Sequence, residues 1–267
     1  MLRRSLLSLP ALVAPGLAFA QGADLGTAAR PVRVGVTQGV HAQAFEKVRE
    51  VLARDGFITR ATEFSDFVQP NAALQSGDLD ANAYQHMPFL EAQKAARGYD
   101  FVSVGRTVLT LMGVFSRKHR DLASLPNGAR VAIPNDPTNG GRALLLLAQA
   151  GVFRLRAGAD HRATVADITE NPKRVRIVEL EAATIVRALD DVDAGAITGN
   201  YAVPAGLNPL RDALARENEQ SVYTCLVVVR RANENAAWAR KLASGYANPE
   251  VKAWVEATFG GAVISGG

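Results

Sequence analysis

Apolar and polar residues alternate through "VRVGVTQG" (32–39), the period of a half-buried strand that ends in a turn. Apolar positions then recur at helical spacing in "AFEKVREVLARDG", predicting a helix that Gly56 closes. A strand at 58–64, a helix through "PNAALQSG" and a short strand in "DLDANAY" follow, the last delivering "YQHMPFL" at its carboxyl end. Strands alternating with helices in this way predict an α/β fold with a largely parallel sheet.

The pattern then recurs. "RVAIPND" at 130–136 resembles "RVGVTQG", and "DVDAGAITGNY" at 191–201 resembles "DLDANAYQH" at 78–86. Each half offers a strand, a turn, a helix and later an Asp-Ala-x-Ala strand, which suggests two similar lobes with ligands at the carboxyl ends of their strands. Between the halves, "TVLTLMGVFSRK" (107–118) is apolar and β-prone, suited to a crossover strand. "SVYTCLVVVRR" (221–231) would carry the chain back, and two such crossings make a hinge.

Composition changes this picture mainly at the amino terminus. Arg3 and Arg4 precede an apolar run that ends in the small-x-small pattern Ala18-Phe19-Ala20, so residues 1–20 are expected to be a cleaved export signal, through the general or the twin-arginine route. No later stretch approaches the roughly 20 apolar residues of a membrane span. With no cysteine at the cleavage site, the expectation is an exported periplasmic protein with no lipid anchor. Removing the leader leaves 28 basic against 26 acidic side chains, which gives no support to a nucleic-acid partner. Cys225 is the single cysteine, so no internal disulfide can form and core burial must hold the fold.

Two stretches carry candidate chemistry. In "NDPTNGGRALLLL" (135–147), Asn135 or Asp136 can cap a helix with Pro137 in its first turn. Free N–H groups and the helix dipole there favour an anion. Arg142, one turn in, could hold a carboxylate through two parallel bonds, and Gly140 and Gly141 could let a ligand approach the backbone. A capped core helix with a surface arginine would read the same way. The second stretch gathers Phe64, Phe67, Tyr84, His86 and Phe89, which could line an apolar pocket with one polar handle, or simply pack in the core. His41, His86, His119 and His161 show no metal-ligand spacing, and neither a phosphate loop nor a Gly-x-Ser-x-Gly elbow occurs. No cofactor, metal or catalytic residue is therefore expected. A nucleophilic Cys225 and a surface protein without solute are the competing classes.

Taken together, "VGVTQG", "FVQPNAALQSGDLDANAYQHMPFL", "RGYDFVSVG", "VAIPNDPTNGGRALLLL", "ITENPKRVRIVELEA", "RALDDVDAGAI", "NYA" and "FGGAV" resemble the NlpA/MetQ family, the methionine-binding proteins of bacterial ABC importers. The resemblance spans nearly the whole chain after the leader. It implies a periplasmic-binding-protein-like fold of two α/β lobes, 31–109 plus 226–267 and 110–225, joined by a two-strand hinge. The lobes would close over an amino acid for delivery to a membrane permease and its ATPase. It also places Phe67, Tyr84, His86 and Phe89 as walls around the ligand side chain, and Asn139 and Arg142 on the ligand backbone, Arg142 taking the carboxylate. Two positions depart from the family pattern: Thr198 and Cys225 stand where asparagines are usual. Threonine and cysteine offer fewer polar contacts than an amide, so a pocket retuned to a different small carboxylate is the alternative, with Asn200 able to compensate.

Overall fold

The computed structural model describes residues 25–266, so the expected leader lies outside the described residues. In the first half, strands β1 (Val32–Thr37), β2 (Thr59–Phe64), β3 (Ala81–His86), β4 (Phe101–Arg106), β5 (Val108–Thr110), β6 (Gly113–Phe115) and β7 (Arg130–Pro134) alternate with helices α1 (Val40–Arg54), α2 (Gln69–Ser76), α3 (Met87–Arg97) and α4 (Pro137–Gln149). Strands β8 (Arg154–Leu155), β9 (Ile168–Glu170), β10 (Arg176–Leu180), β11 (Ala194–Ile197), β12 (Ala215–Arg216), β13 (Cys225–Arg230) and β14 (Val263–Ser265) follow. With them come α5 (Ile185–Ala188), α6 (Gly199–Ala202), α7 (Ala237–Tyr246) and α8 (Pro249–Phe259).

The strands build two five-stranded sheets with one plan, β2-β1-β3-β13-β4 and β10-β7-β11-β6-β12. In each, the second strand (β1 or β7) pairs in parallel with both neighbours, and the fourth (β13 or β6) runs antiparallel to the strands on either side of it. The repeated Asp-Ala-x-Ala motif has a physical reason. Asp80, just before β3, accepts from the Arg33 backbone N–H at 2.9 Å, and its own N–H donates to the Arg33 carbonyl. Asp193, just before β11, does the same with Arg130, accepting at 2.7 Å. One carboxylate in each lobe thus fixes the register of the central strand against its neighbour.

Each sheet has its own core. Val34, Val36, Phe45, Leu52, Leu242 and Tyr246 pack between the first sheet and α1, α7 and α8. Val131, Ile133, Leu144 and Leu147 pack between the second sheet and α4. The expected crossover strand at 107–118 is instead two short strands: β5 pairs with β14, while β6 belongs to the second sheet. The ladder breaks because its backbone groups are used elsewhere. The Thr110 carbonyl accepts from Arg142, and the Met112 N–H donates to Glu217. The returning segment is likewise a strand only from Cys225, and the two crossings are tied by Thr107 N–H donating to the Cys225 carbonyl at 2.8 Å. Among the described residues no helix is long and apolar enough to cross a membrane.

Candidate functional site

The carboxyl ends of β1, β3, β7 and β11 meet around a small cavity of about 20 Å³, room for about one water molecule as the side chains stand. Phe67, Tyr84, His86, Phe89, Asn139, Arg142, Thr198 and Cys225 all line it. Phe67, Tyr84 and Phe89 form one wall, with ring centroids 6.1–6.2 Å apart, and the Tyr84 hydroxyl donates to the Phe67 carbonyl at 2.7 Å. Tyr201 closes over Phe67 at 5.4 Å. Phe64 is not part of this wall; it packs beneath it beside Leu74 and Phe101. Behind the wall, the amides of Asn71, Asn82 and Gln85 bond to one another, a buried polar knot that sets the "PNAALQ" helix against the "ANAYQH" strand.

His86 has two tasks. Its Nδ1 accepts from Phe89 N–H and so caps α3, which leaves Nε2–H to donate across the cleft to Asn139 Oδ1 at 3.1 Å. On the opposite side, Asp136 caps α4 by accepting from Asn139 N–H at 2.9 Å, with Pro137 in the first turn. Asn139 and Arg142 are both buried on the inner side of this helix start.

Two expectations about this helix need correction. Gly140 and Gly141 do not open the backbone to a ligand. A side chain at Gly141 would strike the His161 carbonyl, and one at Gly140 would come within 2.8 Å of the Pro134 carbonyl, so the pair serves close packing within the lobe. The paired grip expected of Arg142 is already made, to a protein carboxylate. Its Nε lies 2.6 Å from Glu217 Oε1 and its Nη2 bonds Glu217 Oε2 and the Thr110 carbonyl, which leaves Nη1 facing Asn139 Oδ1 at 3.4 Å. The Tyr223 ring supports the guanidinium carbon at 4.1 Å.

Three residues with no sequence-based role, His41, Gln85 and Thr110, complete the cavity with Asn200, the expected compensator, which bridges the lobes through Thr37 Oγ1 and the His41 N–H, each at 3.4 Å. Thr198 Oγ1 and His41 Nδ1 are buried without a protein partner, and both belong to the lining. Cys225 Sγ lies 3.9 Å from His41 Nε2. Burial pushes the thiol up to about 12 and His41 down to about 4, so neither is the thiolate or the imidazolium of an activated cysteine. Among the described residues no cluster of three or more His, Cys, Asp or Glu is placed to hold a metal ion.

The neutral histidines give the fold a pH signature. Burial lowers His41 to about 4, and burial together with the charge of Arg142 lowers His86 to about 3, from an unfolded value of 6.5. Below pH 6.5 the unfolded chain binds protons that the native chain refuses, so their stabilisation is complete above 6.5 and is lost as pH falls toward 4 and 3. At pH 5 the loss is about 2 kcal/mol for each histidine. Thermal melting should therefore drop between pH 7 and pH 5, with a shallower slope in the His41→Gln/His86→Gln variant; equal slopes would contradict this assignment.

Comparison with known proteins places this geometry. The family described as NlpA lipoprotein matches residues 32–266. A Vibrio cholerae protein named probable D-methionine-binding lipoprotein MetQ is 41% identical over 236 residues, covering 88% of each chain. A nutrient binding protein from Burkholderia cenocepacia, solved bound to methionine, superposes with a TM-score of 0.86 at 45% identity, covering 89% of this chain and all of that one. An ABC transporter periplasmic substrate-binding protein from Coxiella burnetii gives 0.85 at 43% identity, covering 88% and 100%. These findings correct the expectation of a protein without a lipid anchor, because the family and its named relatives are lipoproteins. The matched span, the shared fold and the level of identity leave one assignment: the chain belongs to the NlpA lipoprotein family.

Proposed function

We propose that this chain is the substrate-binding component of an ABC importer, taking methionine or a related amino acid into the cleft and presenting it to a permease and its ATPase. The observation that carries this reading is the division of one enclosed cavity into an aromatic wall and a polar floor. Phe67, Tyr84 and Phe89 suit an apolar or thioether side chain, a contact of about 0.3–1.5 kcal/mol per sulfur–ring pair. Arg142 Nη1 suits a carboxylate, while Asn139 Oδ1, Thr198 Oγ1 and Asn200 offer acceptors to an ammonium group. The Vibrio cholerae relative named for D-methionine binding, the Burkholderia cenocepacia protein solved bound to methionine and the Coxiella burnetii ABC transporter substrate-binding protein support it. The closing bodies are taken as 31–109 plus 226–267 and 110–225, with the ligand stabilising the closed arrangement through contacts to both.

Binding, not turnover, fits these groups, since the one cysteine is a neutral buried thiol. The test is thermal melting of the ligand-stripped protein against a panel of amino acids. Methionine at 100 times its dissociation constant should add about 2.7 kcal/mol of stability. A shift with another carboxylate and with no amino acid would remove methionine from the reading.

A further inference from the structure

The Arg142–Glu217 pair sits directly behind the cavity and is not accounted for by ligand contact alone. The guanidinium is buried, and Glu217, from the loop after β12, is only 11% exposed at its side chain. Both carboxylate oxygens are committed: Oε1 to Arg142 Nε, Oε2 to Arg142 Nη2 and to the Met112 N–H at 2.9 Å. Glu217 does not line the cavity and acts through Arg142. A site built only to hold an anion would leave its arginine free to use both arms.

We propose that Glu217 is a specificity-determining residue that sets the charge of the closed pocket to zero and thereby selects a zwitterion over a simple carboxylate. This rests on the amino-acid reading above. Of the ionisable groups that line the ligand space Arg142 alone is charged, since burial keeps the imidazoles of His41 and His86, the Tyr84 phenol and the Cys225 thiol neutral. Asp136 is spent on the start of α4 and on Asn139 Nδ2, and Asp66 and Glu181 lie nearer solvent around a neighbouring groove. Glu217 cancels Arg142, so a ligand with both a carboxylate and an ammonium leaves the enclosed site neutral. A ligand with the carboxylate alone leaves one buried charge uncompensated, which a low-dielectric cavity penalises. Glu217 also leaves the ligand carboxylate only Nη1 of Arg142, an arrangement that tolerates a nearby ammonium because the guanidinium charge is shared with its internal partner.

The experiment is calorimetric titration of methionine and of its des-amino analogue into wild type, Glu217→Gln and Glu217→Asp. Wild type should favour methionine. Glu217→Gln, which keeps the shape but removes the charge, should shift the affinity ratio at least tenfold toward the des-amino acid. Glu217→Asp, which keeps the charge and disturbs the geometry, should hold the wild-type ratio within about threefold, and it carries the test if the glutamine variant does not fold. A ratio unchanged in Glu217→Gln, or shifted tenfold in Glu217→Asp, overturns the charge role while leaving the amino-acid reading standing. Wild type that binds no amino acid overturns both.

Discussion

Arg142→Ala should lose amino-acid binding by a hundredfold or more and should also melt at a lower temperature than wild type. The first effect follows from the position of Nη1, the arm of the guanidinium not taken by Glu217 or the Thr110 carbonyl. Losing a charge-assisted bond to a buried carboxylate costs on the order of 1.5–3 kcal/mol, and the accompanying loss of charge balance adds to it; about 2.7 kcal/mol corresponds to a hundredfold. The second effect comes from the partner left behind. Glu217 would remain buried without its cation, and breaking such a pair from one side typically costs about 3–5 kcal/mol. The two effects separate in the Arg142→Ala/Glu217→Ala variant, which removes the orphaned carboxylate. It should regain a large part of the lost stability and only the part of the affinity that came from charge balance, because the Nη1 contact stays absent. Retained methionine affinity in Arg142→Ala would refute the carboxylate assignment, and an unchanged melting temperature would refute the buried pair.

Gly39→Ala should weaken ligand binding at least tenfold with the fold intact. Gly39 ends the turn between β1 and α1 at φ +88, and a methyl group there would lie 2.6 Å from the Asn200 carbonyl, across the cleft. The side chain also costs about 1–3 kcal/mol for a backbone at φ +88, ψ −131, a conformation nearly reserved for glycine, which lowers stability but does not by itself touch the ligand. The contact with Asn200 has a different consequence. It can be relieved only by moving the lobes apart, which breaks the bonds from Asn200 to Thr37 and to the His41 N–H and opens the cavity. Gly56→Ala is the matched control, since Gly56 has φ +74 and nothing within 4 Å. It should lose stability for its positive φ alone and no affinity. Equal affinities in the two variants, measured by titration, would show that the contact does not govern closure.

The sequence carries some parts of this arrangement openly. The repeated Asp-Ala-x-Ala strands stand out because each aspartate must precede a buried strand and cap its neighbour, a demand that recurs at Asp80 and Asp193. The start of α4 is equally plain, since capping by Asp136 and Pro137 is local chemistry. Glu217 is the opposite case. It lies in "ARENEQSV", a polar stretch with no periodicity, and its partner is 75 residues away, so only the folded chain brings them together. His41 carries no local signal either, because its role depends on Cys225 of β13 and Asn200 of α6, both distant in the chain. The same limit explains Gly140 and Gly141. A ligand and a neighbouring backbone make the same demand for a missing side chain, and the sequence does not say which of them approaches. The break between β5 and β6 is hidden because residues 107–118 have strand character throughout, while the bonds that interrupt the ladder come from Arg142 and Glu217.

The most direct measurement is calorimetric titration of the ligand-stripped protein with methionine, beside its des-amino analogue, at neutral pH. One saturable site per chain for methionine, with weaker binding of the analogue, is the expected result. No heat and no melting shift with methionine or any other amino acid, together with saturable binding of the des-amino acid, would contradict it.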